Sequence, residues 1–400
     1  MNKIIRFDEK ALEPEFISKR IEALEERIKT SWRGTHLFRD SRLPGIQDLV
    51  LISNDYLSLG RHPEIIRAQK DSLERHGNGM VMSAVFLHGP NPQHEFEQAL
   101  ARHMDAEAAV LCQSGWAANV GLLQAIADRS IPVYIDLRAH MSLWEGITSA
   151  GATPRPFRHN NPDHLAQVVA SHGQGVVVVD SLYSTQGDLC PLADIVEVAE
   201  RHGCVLVVDE SHALGTHGAQ GEGLVAELGL SRRVHFRTAS LAKAFAGRAG
   251  VIACSRRFAD YFPFESRPAI FSSALLPHEI AGLHATLKVI RRDHWRRQRL
   301  HDNAAWLRRG LDAGGYNVAV SQSQIVPLEA GSEPRLVALQ RALEARGVFG
   351  AAFVAPATPR NGALIRLSVN CALEPAQLER IVAVCRDIRD EVEAQAWAST

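Results

Sequence analysis

The chain has 400 residues and a formal net charge of −1, and it is 46% hydrophobic and 22% charged. This length accommodates one large and one smaller domain, and the near-neutral charge disfavours a nucleic acid or a membrane surface as a partner. The six cysteines are scattered without a CxxC pair, which predicts neither a disulfide framework nor a metal site. The N-terminus carries acids and lacks the apolar core of a signal peptide, and no apolar run approaches the roughly 20 residues that span a bilayer. We therefore expect a cytoplasmic globular protein.

Residues 1–48 are predicted to form a polar arm with one helix, because apolar residues recur at helical spacing in 17–29. From residue 49 onward, short apolar runs rich in β-branched residues alternate with amphipathic stretches such as 94–104 and 192–203. That alternation predicts an α/β fold around a largely parallel sheet. The predicted buried strands are residues 49–53, 108–112, 132–136, 175–180, 204–209 and 249–254.

The pattern changes after about Pro277, where a long helical stretch begins. Short strand candidates follow at 323–330 and 364–370, and a final helix is expected from about Glu374. The basic run RRDHWRRQR within the helical stretch is interpreted as a solvated helix face, because apolar residues and acids interrupt it. These features predict a smaller domain at the C-terminus.

Several of the apolar runs end in Asp, and the clearest of them continues as VLVVDESHALGTHG. It places Asp209 at the C-terminal end of a buried strand, where open α/β sheets bind their ligands. By itself, His212 would be a hydrogen-bonded loop histidine. The segment TASLAKAFAGRAG (238–250) alters that interpretation, since it surrounds Lys243 with small and hydroxyl residues. A lysine is ordinarily a solvated surface charge, but small neighbours admit a flat cofactor, and hydroxyls such as those of Thr238 and Ser240 can donate to a phosphate.

Together these motifs resemble the α-oxoamine synthase family of fold-type I enzymes that use pyridoxal 5′-phosphate (PLP). The resemblance implies an aspartate aminotransferase-like fold, with a large, mainly parallel sheet domain at 49–282 and a smaller α+β domain at 283–400. It implies PLP as the cofactor and no metal. Further matching strings lie, in order, at residues 53–66, 112–124, 134–146, 180–195, 270–277 and 364–370.

The resemblance also implies roles for individual side chains. Lys243 would hold PLP through a Schiff base, and Asp209 would keep the ring nitrogen protonated. His140 would stack on the ring, His212 would hydrogen-bond its oxygen, and Arg366 would bind the substrate carboxylate as a bidentate pair. The other implied cofactor contacts are Ser114, Gly115, Trp116, Ser184 and Ser240 of the same chain and Ser272 or Ser273 from the neighbouring subunit of a homodimer with shared active sites.

Several of these residues also have purely structural interpretations. Ser184 could be a turn hydroxyl, Trp116 a core side chain, His140 a packed histidine, and Arg366 a member of a surface ion pair. The position of Arg366 between apolar strand neighbours in LIRLSVN favours the functional interpretation.

A narrower resemblance, to the quorum-sensing α-hydroxyketone autoinducer synthase subgroup, is carried by strings such as MSAVFLHG, AHMSLWEG and HNNPDHL. Where other members have a glycine-rich segment with an Arg, this chain has HGNGMVMSAVFLHG (76–89). Its larger side chains are predicted to line a tunnel for an aliphatic chain, with a repacked core segment as the alternative. The substrate-binding residues expected there are Met82, Ser83 and Phe86.

The implied reaction joins a small amino acid, 2-aminobutyrate or S-adenosylmethionine, to a medium- or long-chain acyl-CoA with loss of CO2. The resulting α-aminoketone would be the precursor of an autoinducer. Three alternatives remain: another α-oxoamine synthase of the 8-amino-7-oxononanoate or 2-amino-3-ketobutyrate type, a PLP aminotransferase, and a catalytically silent PLP-fold protein. The divergent segment 76–89 argues against the first, and the presence of both Lys243 and Asp209 argues against the last.

Overall fold

The computed structural model describes residues 14–87 and 89–397, with side chains as far as residue 392. The strands β1–β12 are Leu49–Val50, Ala108–Cys112, Pro132–Asp136, Thr153–Phe157, Val176–Asp180, Val205–Asp209, Phe236–Ser240, Gly250–Cys254, Ile325–Gly331, Val348–Phe349, Ala351–Phe353 and Ala363–Ser368. The helices α1–α14 are Glu15–Thr30, Pro63–His76, Pro92–His103, Gly115–Ile126, Met141–Ser149, Pro162–His172, Leu192–Arg201, Leu224–Glu227, Arg256–Glu265, Arg267–Phe271, Pro277–Arg292, Trp295–Ala313, Glu333–Ala345 and Pro375–Trp397. Within these described residues, no helix combines the length and apolar character that a bilayer span requires.

A seven-stranded sheet in the order β2-β8-β7-β6-β5-β3-β4 forms the centre of the molecule. Its strands pair in parallel except for β8, which runs antiparallel to both β2 and β7. Alternate residues of β5 enter two different hydrophobic cores: Val177 and Val179 pack in one, Val176 and Val178 in the other. Both faces of the sheet are therefore covered, as expected of parallel strands with continuous apolar runs. The prediction of an α/β fold around a largely parallel sheet is confirmed.

Three acidic residues end adjacent parallel strands of this sheet. Asp136, Asp180 and Asp209 are the last residues of β3, β5 and β6, and the register of β5 and β6 pairs Asp180 with Asp209. All three are almost completely buried. The C-terminal edge of the sheet therefore carries several acidic side chains that are shielded from solvent.

The remaining strands form two small sheets. β9, β11 and β12 form an antiparallel sheet in the order β11-β12-β9, on which α13 packs. The predicted strand at 49–53 is present only as β1, and it pairs in parallel with β10 rather than joining the large sheet. The long helical stretch after Pro277 is divided into α11 and α12 at Asp293, whose backbone leaves the helical conformation. The division of the chain at 48/49 and 282/283 stays a prediction, and α11 runs across the second of these points.

Candidate active site

A pocket of about 280 Å³ opens at the C-terminal edge of the large sheet. It is formed where the ends of β5, β6 and β7 meet the first turns of α4 and α5. Eight of the predicted site residues lie together in its wall. The lining residues are Ser114, Gly115, Trp116, Asn119, His140, Ser142, Asp180, Asp209, Ser211, His212, Ser240 and Lys243.

A chain of hydrogen bonds holds Asp209 at the floor of the pocket. The buried Asn119 amide donates to Asp209 Oδ2 over 2.7 Å and to Ser142 Oγ over 2.8 Å. Ser142 Oγ lies 2.8 Å from His140 Nδ1, which also accepts from the Ser142 main-chain N–H. Because Nδ1 is an acceptor, the proton of the neutral imidazole resides on Nε2. The second Asp209 oxygen accepts from the Ser211 N–H over 2.7 Å, so the carboxylate is fixed from two sides.

Lys243 lies in the turn between β7 and β8. Two main-chain hydrogen bonds close this turn, from Leu241 N–H to the Ala249 carbonyl and from Gly247 N–H to the Leu241 carbonyl. Burial lowers the pKa of its ammonium group; the charges of Asp209 and Asp180 oppose that effect. Within the described part of the chain, no carboxylate lies within ion-pair distance of its Nζ. A partly desolvated amine without a fixed counter-ion is predisposed to lose its proton and act as a nucleophile or a base.

Asp180 adds a second acid to the pocket wall. Burial raises the pKa of its carboxyl well above the ordinary range, and repulsion from Asp209 adds to the rise. Its Oδ1 accepts from the His140 N–H over 3.3 Å. The charged form of Asp180 is therefore disfavoured, since two adjacent buried carboxyls resist ionising together.

His212 is buried against the pocket, and its Nδ1 lies 2.7 Å from the Tyr56 hydroxyl. Burial holds the pKa of His212 well below its ordinary value, and the positive charges of Lys243 and Arg366 lower it further. The imidazole is therefore neutral near pH 7, with one nitrogen engaged by Tyr56 and the other available to the pocket.

The first turn of α4 closes one end of the pocket. Ser114 is the N-cap, with its hydroxyl accepting from the Ala117 N–H over 3.0 Å. Gly115 packs so closely on β7 that a Cβ atom there would lie 2.6 Å from the Cβ of Ser240. Trp116 is 48% exposed and meets the His140 ring edge-on at 6.2 Å between centroids. A helix N-terminus beside hydroxyls is a suitable binding site for a phosphate.

Arg366, on β12, lies outside the pocket wall but within electrostatic range of Lys243. Its guanidinium is buried, stacks on Phe353 at 4.7 Å, and donates to the carbonyl of Ser184 and to Asn54 Oδ1. Its Nε has no hydrogen-bond partner, and no acid within the described residues pairs with it. This buried cation, satisfied only by neutral acceptors, has the properties of a carboxylate-binding group.

The structure places Met82, Ser83 and Phe86 outside the pocket wall, against the segment that carries Ser272 and Ser273. Ser83 forms a β-bridge with Ser273, and the Met82 carbonyl accepts from the Ala274 N–H over 2.7 Å. The Ser272 hydroxyl donates to the carbonyl of Pro268. Phe86 is 60% exposed, whereas Met82 and Ser83 are half-buried, so the segment lies beside the pocket and its role as the wall of an acyl tunnel stays a prediction.

The sequence interpretation missed several residues that shape the site, namely Asn54, Tyr56, Asn119, Ser142, Asp180 and Ser211. Asn119 and Ser142 lie within the matching strings CQSGWAANVGLLQ and YIDLRAHMSLWEG, and a polar residue inside the apolar helix α4 was the available signal. Asn54 and Tyr56 lie within the matching string at 53–66, but they are far from the other site residues in the chain and no chemical signature marked them.

The pocket fits PLP on its own chemistry. It offers a fixed carboxylate in Asp209, an amine without a counter-ion in Lys243 and a helix N-terminus at Ser114. In addition, Asn119 Oδ1 is buried with no partner among the described residues. A flat, anionic aldehyde with a basic ring nitrogen would satisfy these groups together. No three His, Cys, Asp or Glu side chains of the described residues converge in a way that would hold a metal ion.

Comparison with known proteins agrees with this chemistry. Residues 46–384 match the family described as aminotransferase class I and II. The chain is 45% identical over 383 residues to the CAI-1 autoinducer synthase of Vibrio campbellii, covering 96% of this chain and 97% of that one. It is 34% identical to a putative 8-amino-7-oxononanoate synthase of Halalkalibacterium halodurans, covering 81% and 82%.

Among solved structures, a serine palmitoyltransferase variant from S. paucimobilis with a bound PLP–myriocin aldimine superposes with a TM-score of 0.89 at 25% identity. The match covers 95% of this chain and 100% of that one. The expected fold-type I architecture, the PLP cofactor and the resemblance to the α-oxoamine synthases are thereby confirmed. The chain belongs to the aminotransferase class I and II family, as a PLP-dependent α-oxoamine synthase.

Proposed function

We propose that the protein condenses a small amino acid with a medium- or long-chain acyl-CoA, releasing CO2 and CoA and yielding an α-aminoketone that is the precursor of an α-hydroxyketone autoinducer. The observation that carries the proposal is that Lys243 and Asp209 lie in one pocket and that Arg366, which pairs with no acidic side chain of the described residues, lies nearby. The likeness to the CAI-1 autoinducer synthase supports the choice among related reactions.

Asp209, Lys243 and the first turn of α4 would hold the cofactor. Asp209, fixed by Asn119 and by the Ser211 N–H, would keep the ring nitrogen protonated. The N–H groups of α4 and the hydroxyl of Ser240 would bind the phosphate. When bound, PLP supplies an electron sink that stabilises negative charge on the amino-acid α-carbon.

The remaining cofactor contacts would orient the ring. The His140 ring would stack against it, and His212, held by Tyr56, would hydrogen-bond its oxygen. Ser184 acts here through its carbonyl, which accepts from Arg366 over 2.9 Å. We therefore assign Ser184 to the positioning of Arg366.

Lys243 would move the proton. Burial lowers the pKa of its ammonium, which favours the free amine that must remove the α-proton. Burial and the neighbouring Asp209 both disfavour a second negative charge on Asp180. Removal of the α-proton leaves a carbon nucleophile, which attacks the thioester carbonyl with CoA as the leaving group. Loss of the carboxylate as CO2 and return of a proton complete the reaction.

Arg366 would bind the amino-acid carboxylate. Its buried guanidinium has only neutral partners and an unsatisfied Nε, so an arriving carboxylate would gain a desolvated, charge-assisted pair. Either 2-aminobutyrate or S-adenosylmethionine carries the required α-amino and α-carboxylate groups.

The acyl chain would lie along the apolar surface beside the pocket. Met80, Val81 and Phe86 are 74%, 75% and 60% exposed, and Phe271 on the adjoining segment is 81% exposed. A contiguous apolar surface of this kind is unusual on an isolated chain and marks a binding face. Met82 and Ser83 hold the segment in place through bonds to Ala274 and Ala269.

The same face supports a homodimer in which Ser272 or Ser273 reaches the partner's phosphate site. The exposed Phe271 directly precedes this pair of hydroxyls. We propose that the dimer acts in the cytoplasm, a compartment in keeping with six buried, unpaired cysteines.

Purified enzyme and Lys243→Ala test the proposal, with Lys288→Ala on the exposed face of α11 as the matched control. Each is loaded with PLP, its visible absorption is recorded, and CoA release is followed with 2-aminobutyrate or S-adenosylmethionine and acyl-CoAs of increasing length. We expect the band of lysine-bound cofactor and CoA release in wild type and control, both lost in Lys243→Ala, with release largest for medium or long chains.

Other outcomes change the assignment. Release only with pimeloyl or acetyl thioesters would indicate a sister α-oxoamine synthase. Release of a keto acid without CoA would indicate an aminotransferase. Absence of the absorption band in PLP-saturated wild-type protein would contradict the mechanism.

A further inference from the structure

A buried acid–histidine–acid bridge lies beyond the pocket. His159 Nδ1 lies 2.9 Å from Asp136 Oδ1, and His159 Nε2 lies 2.5 Å from Asp188 Oδ2. The His159 side chain is 17% exposed, and its two partners are 1% and 7% exposed. Tyr183 packs edge-on against the imidazole at 4.4 Å. None of these four residues lines the pocket.

Both ring nitrogens point at carboxylate oxygens, so both must donate and the ring must be an imidazolium. Burial by itself would lower the pKa of His159, but the bonds to Asp136 and Asp188 outweigh it and raise the pKa to about 8. The bridge is therefore charged at neutral pH and loses its proton under mildly alkaline conditions.

Asp136 and Asp188 belong to different parts of the molecule. Asp136 ends β3 of the large sheet, whereas Asp188 lies in a hairpin, residues 182–189, whose ends pair through Leu182 and Leu189. His159 therefore ties this hairpin to the sheet edge. Asn160 adds a parallel tie through bonds of 3.0 Å to Asp188 and to the Leu189 carbonyl.

The tip of the hairpin contacts the β9–β12 sheet and Arg366. The Ser184 carbonyl accepts from Arg366, and the Gly187 carbonyl accepts from Ser323 Oγ over 2.8 Å. Gly187 has a φ of +74°, and a Cβ there would lie 2.1 Å from the carbonyl oxygen of Ile325. This close approach leaves little tolerance for movement of the hairpin, so a shift at Asp188 would be transmitted to Ser184 and to the guanidinium that it holds.

We propose that His159 is a positioning residue that, as an imidazolium bridging Asp136 and Asp188, fixes the 182–189 hairpin and thereby sets Arg366 for the amino-acid carboxylate. The second half of this proposal rests on the proposed function, in which Arg366 binds that carboxylate. His159 touches neither substrate nor cofactor.

The bridge is expected to make amino-acid binding pH-dependent. The titratable groups that face the imidazole are Asp136, Asp188 and Tyr183, and Cys190 and Asp180 lie within electrostatic range of Tyr183. Burial raises the pKa values of the Tyr183 and Cys190 side chains well above their ordinary values, so both stay neutral through the range in which His159 titrates. As the pH rises through about 8, the imidazolium is lost and one carboxylate loses its donor.

The test uses PLP-loaded His159→Gln, with His172→Gln on the exposed end of α6 as the matched control. We expect the KM for the amino acid to rise about tenfold in His159→Gln, because the substitution removes roughly one hydrogen bond to a charged group. The kcat, the KM for acyl-CoA and the cofactor absorption should stay within about threefold. In wild type, the amino-acid KM should rise between pH 7 and pH 9; in His159→Gln, this rise should be absent.

Amide hydrogen exchange of residues 182–190 provides a readout independent of activity, and Asp188→Asn provides a second variant if His159→Gln is poorly folded. We expect faster exchange of the hairpin in both variants and unchanged exchange in the control. If the exchange of the hairpin amides is unchanged in the variants, His159 does not fix the hairpin and the proposal is overturned. If exchange is faster but the amino-acid KM is unchanged, the hairpin does not position Arg366. A wild-type enzyme that releases no CoA overturns the proposed function and the substrate half of this proposal, while exchange still decides whether His159 fixes the hairpin.

Discussion

Asn119 offers the sharpest test of how the site is assembled. Replacing it with Ala removes the donor that reaches Asp209 over 2.7 Å and Ser142 over 2.8 Å in an almost fully buried setting. A hydrogen bond to a charged group contributes about 1.5–3 kcal/mol, so the substitution would remove about 2 kcal/mol of the stabilisation that holds the Asp209 carboxylate in its orientation. If that loss is expressed in cofactor binding, the Kd for PLP rises about 30-fold, and at least about tenfold if water replaces the amide.

The assay is titration of apo-enzyme with PLP, followed by absorbance, together with urea unfolding of the apo form. Asn317→Ala is the matched control, because that exposed amide also donates to a carboxylate, Glu329, over 3.2 Å. We expect Asn119→Ala to weaken PLP binding and to lower the free energy of unfolding by about 1–3 kcal/mol, and the control to change neither. If Asn119→Ala is destabilised yet binds PLP within twofold of wild type, Asp209 is held without the amide and the reasoning is refuted.

Three further predictions concern packing, pH and substrate binding. Gly115→Ala should lower the free energy of unfolding by about 1–3 kcal/mol and reduce PLP occupancy, because its Cβ would lie 2.6 Å from the Ser240 Cβ; thermal melts and absorbance measure both. Burial lowers the pKa of His103 to about 4, so the unfolded chain binds the proton more tightly and stability falls as the pH drops below about 6.5. Urea unfolding at pH 7 and pH 5 should show about 2 kcal/mol of this loss, absent in His103→Gln. Arg366→Lys keeps the charge but loses the planar fork, so initial rates should give an amino-acid KM raised about tenfold or more.

Each of these has a result that would count against it. A Gly115→Ala enzyme with wild-type melting would mean that α4 and β7 can separate without cost. An unchanged pH slope in His103→Gln would assign the acid sensitivity to other groups. For Arg366→Lys, an increase confined to the acyl-CoA KM would place the guanidinium at the other substrate.

The sequence predicted the central sheet well, because the apolar runs of β2, β3, β5, β6 and β8 are continuous and bounded by polar turns. It missed β4, whose sequence TPRPF contains two prolines that argue against a strand. The structure places β4 at the edge of the sheet, where a proline without an N–H is tolerated. The run at 49–53 was predicted to be a buried strand, whereas only Leu49–Val50 form one, and its partner β10 could not be identified from local pattern.

At the candidate site, the predictable residues were those with a chemical signature, such as a lysine among small residues or an Asp after an apolar strand. Asn119, Ser142 and Tyr56 act through single hydrogen bonds that depend on how α4, α5 and the segment before α2 pack together. The segment 76–89 shows the limit most clearly. Its unusual composition was evident, and either a tunnel wall or a repacked core segment was expected; the structure leaves Phe86 60% exposed, and the tunnel stays a prediction.

The pairing of β1 with β10 has a consequence for how the chain folds during its synthesis on the ribosome. Leu49 and Val50 lie opposite Val348 and Phe349 in the strand register, so nearly 300 residues separate the two halves of this small sheet. At a synthesis rate of about 5–20 residues per second, the emerging chain would hold its first strand without a partner for roughly 15–60 s. During that interval Leu49 and Leu51, which are buried in the finished protein, would be open to chaperones or to misassociation with other nascent chains.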